Sequence, residues 1–198
     1  MYTFSGLPCA EKTQNNAEKK TFTYQEKSPK KRAEYIAKVR KIPRKKRVYV
    51  DESGVNEHLQ REFARAPRGE IIEDVKCGNK FNRVNIIGAL CNEKYYGIQC
   101  YKQTTNSAFF EQWFENCLLK EIPKGYTAIL DNARYHRKKQ LRTMARGKVR
   151  LLFLPPYSPD YNPIEKTWAN MKRYLNNNMK RFQSITSGIN NFFGLIEN

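Results

Sequence analysis

YTAILDNARYHRKKQLRTMARGKVRLLFLPPYSPDYNPIEKTW, residues 126–168, is the stretch from which the architecture unfolds. Tyr126 to Leu130 is a short apolar run that stops at Asp131, and the segment from Arg137 to Arg146 is basic with helical spacing. Val149 to Leu154 is a second apolar run. PPYSPDYNP, Pro155 to Pro163, then places four prolines in nine residues, which excludes regular structure there. Pro163 stands at the first turn of a helix that carries Ile164, Trp168, Met171 and Leu175 along one face. Strands alternating with helices predict a sheet covered by helices.

Upstream of this stretch the pattern is different. Val48 to Asp51 (VYVD), Phe63 to Ala66, Val84 to Leu90 and Tyr95 to Tyr101 have strand character, and Asn92-Glu93-Lys94 joins the last two as a hairpin. Ser107 is placed to cap an amphipathic helix whose stripe is Phe109, Phe110, Trp113, Phe114, Cys117 and Leu118. An antiparallel meander followed by strand–helix alternation predicts an α/β fold: a mixed sheet with helices on both faces. Ahead of it, the first 27 residues show no periodicity, and Ser28-Pro29 opens a short basic helix ending at Ile42-Pro43. Residues 1–46 are expected to form a basic arm and 47–198 the folded domain, closed by a weaker helix from Phe182 to Ile196.

The charge is distributed unevenly. Of a net +18, residues 19–47 contribute 13 basic against 2 acidic side chains, and residues 134–150 contribute 8 basic and no acidic ones. Residues 51–133 hold 10 basic and 12 acidic. Basic flanks around a slightly acidic middle suit a nucleic-acid surface enclosing a carboxylate site. Arg44, Lys45, Lys46 and Arg47, together with Arg137, Lys138, Lys139 and Arg142, are the candidate phosphate contacts. No apolar run reaches the roughly 20 residues that span a bilayer, and the start has no leader pattern. The five cysteines are scattered without a C-x-x-C pair and there are two histidines, so neither a disulfide scaffold nor zinc is expected and a cytoplasmic setting fits.

Three acids lie at the ends of elements: Asp51, Asp131 and Glu165. If the strands ending at Asp51 and Asp131 pair, their carboxylates meet at one sheet edge, where a helix can bring Glu165. Hard oxygen donors with few imidazoles select Mg²⁺ or Mn²⁺, and two such ions suit an in-line phosphoryl displacement. Each acid also has a purely local reading. Asp51 begins a turn-like Asp-Glu-Ser-Gly, Asp131-Asn132 suits an Asx turn, and Asn162 as N-cap would put Glu165 at the third helical position of a capping box.

VYVDESG, RVNIIGAL, ILDNARYH and LLFLPPYSPDYNPIEKTWANMK, in this order, closely resemble the catalytic domain of the IS630-like transposases of the IS630/Tc1/mariner superfamily, from about Lys20 to Leu175. The LPPYSPDYNPIE block is the most specific part. The resemblance implies a ribonuclease H-like fold and a DDE triad of Asp51, Asp131 and Glu165, the last two 34 positions apart, holding two Mg²⁺ or Mn²⁺ ions. Asn132 and His136 belong to the same motif and are expected to steady the acids rather than to bind metal. It further implies cleavage of transposon ends and strand transfer into target DNA, a dimer on double-stranded DNA, and a place in the bacterial nucleoid. The helix-turn-helix units that read transposon ends in that family are not found ahead of Arg47, so a separately encoded module or a truncated copy is expected. A catalytically silent DNA-binding remnant and a stand-alone nuclease of the same fold are the competing readings.

Overall fold

The computed structural model describes residues 28–56 and 83–195. Strands β1 (Arg47–Asn56), β2 (Arg83–Cys91), β3 (Lys94–Tyr101), β4 (Thr127–Leu130) and β5 (Arg150–Phe153) form one sheet in the order β3-β2-β1-β4-β5. β1 to β3 make an antiparallel meander, whereas β4 runs parallel to β1 and β5 parallel to β4. This is the expected mixed sheet. The strand anticipated at Phe63 to Ala66 lies outside the described residues.

Helices cover both faces. On one, α2 (Ser107–Trp113) passes through a π-helical turn, Phe114–Leu118, into α3 (Leu119–Glu121), and α4 (Lys138–Met144) lies beside it. Phe110, Trp113, Phe114 and Leu141 pack there against Val48, Val50, Ala128 and Leu130. Truncating one of these buried rings to alanine costs about 3–5 kcal/mol. On the other face, α5 (Ile164–Asn178) and α6 (Ile185–Phe193) set Trp168, Met171, Leu175 and Ile189 against Val55, Val84 and Ile86. Side chains alternate along β1, so even-numbered Val48 and Val50 serve the α2 face and odd-numbered Val55 the α5 face.

Several boundaries differ from the sequence reading. Asp51-Glu52-Ser53-Gly54 is not a turn: β1 continues to Asn56 because each residue from Asp51 onward pairs with β2, out to Arg83. A ladder of backbone hydrogen bonds outweighs the local turn preference. The cap of α2 is Asn106, whose side chain accepts from Phe109 N at 2.9 Å, and Ser107 is the first helical residue. α6 is shorter than anticipated, since Ser184 and Ser187 close a capping box at its start and Gly194, at φ 65°, ends it.

α1 (Pro29–Arg40) begins at the Ser28 cap as expected. Its Tyr35 is buried with Ile129 and Leu154 and stacks on Tyr161 at 5.4 Å. Arg32 donates to Ser158 Oγ at 2.8 Å and to both Asp160 carboxylate oxygens, at 3.1 and 2.6 Å, with its guanidinium 4.1 Å from the Tyr161 ring centre. The basic helix is thereby fastened to the proline loop.

Candidate active site

The parallel pairing of β1 with β4 matches Arg47 to Thr127, Val48 to Ala128 and Tyr49 to Ile129. Continued by two residues, that register sets Asp51 beside Asp131, on the face that α5 covers. Both acids line a cleft of about 440 Å³ with Glu165, Asn132, Asn162 and the loop from Pro155 to Pro159. The structure therefore brings the three sequence-predicted acids to one cleft. Among the described residues no three His, Cys, Asp or Glu side chains are gathered as a ready-made metal cluster.

The three acids sit in different electrostatic surroundings. Burial, then the facing Glu165 and the adjacent Glu52, push the Asp51 carboxyl up to about 8. Trp168 Nε1, three residues after Glu165, donates to Asp51 Oδ2 at 3.0 Å and partly offsets this. For Asp131, burial alone would raise the pKa. Hydrogen bonds from His136 and from the Ala133 amide outweigh it, with the charges of His136 and Lys138, and hold the carboxyl below its ordinary value. The Ala133 amide reaches Asp131 Oδ1 at 3.0 Å, so the Asx turn anticipated here is present. His136 Nδ1 lies 3.0 Å from the same oxygen.

His136 is buried and packs on Phe110 with ring centres 4.1 Å apart. Burial would lower its pKa, but the hydrogen bond with Asp131, then the nearby Glu52 carboxylate and the charges of both acids, raise it to about 9. Its Nε2 faces Glu52 Oε1 at 3.7 Å, and both of these buried atoms lack a hydrogen-bond partner. Glu52 was hidden in the sequence by the turn reading of Asp-Glu-Ser-Gly. Trp168 was hidden in an apolar stripe.

The capping reading of Glu165 fails. α5 has Pro163 as its N-cap with no side-chain cap, so Glu165 falls at the second helical position, one short of a capping box. The Glu165 amide donates to the Asn162 backbone carbonyl at 3.2 Å, while Asn162 Oδ1 is buried without a partner. Glu165 is thus exposed in the cleft with no local duty in the cap. Asn132 bridges the cleft wall: its Nδ2 donates to the Leu154 carbonyl and its Oδ1 accepts from Lys138 Nζ.

The basic residues divide. Lys138 stands at the cleft rim, and Lys139 and Arg142 are exposed on α4. Arg137 pairs with Glu111, a largely buried carboxylate of α2. Arg44, Lys45 and Lys46 are exposed in a turn before β1, and Arg47 Nε donates to the Ile42 carbonyl at 2.8 Å. These four precede Asp51 by four to seven residues at the far end of β1, so the structure does not bring them to the cleft. Cys91, Cys100 and Cys117 are free thiols, and no described helix is long and apolar enough to cross a membrane.

A carboxyl whose proton is held by burial and then by a facing carboxylate is a site that a divalent cation would relieve. The donors are hard oxygens, and the residues fit Mg²⁺ or Mn²⁺.

Known structures share this fold. The Mos1 transposase paired-end complex with left transposon end superposes with a TM-score of 0.69 at 17% identity, covering 92% of this chain and 61% of that one. The Mos1 mariner paired-end complex with Mn gives 0.61 at 16% identity, over 91% and 65%. The catalytic domain of Mos1 mariner transposase gives 0.58 at 18% identity, over 84% and 78%. The fold is ribonuclease H-like, and the chain spans less than two thirds of the Mos1 chains in the DNA complexes. No curated protein matches the sequence. The family model for the DDE superfamily endonuclease matches residues 46–187, a segment that runs from the turn before β1 into α6 and encloses all three acids. The chain belongs to the DDE superfamily endonucleases.

Proposed function

We propose that this chain is the catalytic domain of an IS630-like DNA transposase that cleaves transposon ends and transfers the freed strand to target DNA. The observation that carries the reading is the juxtaposition of Asp51 and Asp131 on adjacent parallel strands, with Glu165 across the same cleft. Asp51, Asp131 and Glu165 would hold two Mg²⁺ or Mn²⁺ ions, which when bound polarise the scissile phosphate and the attacking oxygen. His136 and the Ala133 amide fix the Asp131 carboxylate, and Trp168 fixes that of Asp51. Asn132 ties the strand end to the loop after β5. Lys138, Lys139 and Arg142 neutralise phosphates beside the cleft, and Arg137 is held by Glu111 at the same helix start. Arg44, Lys45, Lys46 and Arg47 meet DNA at a distance from the chemistry.

In this reading residues 47–198 are the catalytic domain and 1–46 a basic arm whose α1 packs on it. The chain works as a dimer on double-stranded DNA in the bacterial nucleoid, with a separately encoded helix-turn-helix module choosing the ends. The testing experiment is Mg²⁺-dependent nicking and joining of DNA carrying the element's ends, with that module supplied. Wild type should cleave, and Asp51→Asn, Asp131→Asn and Glu165→Gln should bind DNA without cleaving. Wild type that binds but never nicks would leave the silent-remnant reading, and nicking without joining would leave the stand-alone nuclease.

A further inference from the structure

A second cavity, of about 430 Å³, adjoins the acid cleft and shares with it Asn132, Leu154, Pro155 and Pro156. Its far side is α1, which presents Lys31 and Lys38 with Glu34 between them. The two lysines are seven residues apart, two helical turns on one face, and both are exposed. Neither makes an ion pair among the described residues. Opposite them stands Lys138, whose Nζ sits 4.8 Å from the Phe153 ring centre. The floor is apolar, formed by Leu152, Leu154 and Pro156. This groove comes from the docking of α1 onto the β5 edge, and no local motif announces it.

Proteins hold a single nucleic-acid strand with a positively charged groove along its phosphates and aromatic side chains against its bases. Here the lysines supply the first, and Phe153, in the lining beside Leu152 and Leu154, supplies the second. The volume lies at the scale of a small-ligand pocket, about 300–1,000 Å³, room for a few nucleotides of one strand. The groove also opens from the wall of the acid cleft. We propose that it receives an unpaired stretch of the strand whose phosphate lies at Asp51, Asp131 and Glu165, with Lys31, Lys38 and Lys138 on its phosphates. The proposal rests on the DNA-cleaving reading above and adds to it the form of DNA that the site accepts.

The test is fluorescence anisotropy in EDTA, with a labelled blunt duplex and the same duplex extended by a single strand of about six nucleotides, of either polarity. Wild type should bind one tailed form several-fold more tightly than the blunt one. Lys31→Ala/Lys38→Ala should erase that preference and reduce the salt slope for the tailed form by about 1.4, the value for two phosphate contacts on a single strand. Affinity for the blunt duplex should change less than twofold. Lys120→Ala/Lys124→Ala, at the other end of β4, should leave the preference intact, and circular dichroism melts should match across the set. Equal binding of tailed and blunt DNA by wild type overturns the proposal, as does a preference that survives in Lys31→Ala/Lys38→Ala or an equal loss on both DNAs. Those results leave the cleavage reading standing; failure of wild type to bind any DNA removes both.

Discussion

Replacing Glu165 by Gln should make the metal-free protein relatively more stable at high pH while abolishing cleavage. In the folded chain burial, and then the facing Glu165, raise Asp51 to about 8, against about 3.9 for an unfolded Asp. The folded state therefore holds this proton more tightly, and stability falls as pH rises between those values. Glu165→Gln removes one of the causes. Each unit by which Asp51 falls back is worth about 1.4 kcal/mol above pH 8 and nothing well below the shifted value. Glu165 is solvent-exposed, so screening limits the gain to about 1 kcal/mol, or about 2–4 °C in Tm for a chain of this size. The lost attraction between Glu165 and the start of α5, about 0.3–1 kcal/mol, opposes this but is nearly constant from pH 5.5 to 8.5. The assay is thermal unfolding in EDTA at those two pH values, read as the difference between wild type and variant at each. The variant should gain on wild type between pH 5.5 and 8.5, and Mg²⁺ should stabilise wild type more than the variant. A difference that is the same at both pH values would refute the facing of Asp51 and Glu165 across the cleft.

Three further outcomes are expected. Trp168→Phe keeps the ring but removes the donor to Asp51 Oδ2, so cleavage near pH 7 should fall several-fold and recover in part as pH rises, measured as a pH–rate profile. His136→Asn should destabilise by about 1–2 kcal/mol below pH 6.5, where the raised pKa of His136 contributes fully, and the deficit should shrink as pH rises through about 9; chemical denaturation across that range reads it. Gly97→Ala should cost about 1–3 kcal/mol in the same assay, because φ is +57° and the added Cβ would stand 3.0 Å from Trp113 Cζ2.

Asp51 and Asp131 were legible because each ends an apolar strand pattern, and short-range pattern is what a sequence displays. β1 was read too short for the same reason: Glu52, Ser53 and Gly54 have turn propensities, and only β2, more than thirty residues on, supplies the ladder that overrides them. Glu52 was lost with that reading. Trp168 satisfies the apolar stripe of α5, and a stripe carries no sign that its indole N–H is a donor to Asp51. Arg137 was legible as a cation but not as the partner of Glu111, since that pair joins two helices 26 residues apart. The Glu165 cap shows the converse, a local rule that fit the letters but missed the helix start by one residue.

The indole bond to Asp51 also gives the cleft an optical signature. Trp113 and Trp168 are the chain's two tryptophans. Trp113 is buried on the opposite face of the sheet, its Nε1 fixed to the Gly97 carbonyl at 2.7 Å, and supplies a steady emission background. Trp168 emits beside a carboxyl whose charge changes with proton or cation uptake, so the polarisation of its excited state follows the occupancy of the site. The ultraviolet fluorescence of the unlabelled protein should accordingly follow the titration of Asp51.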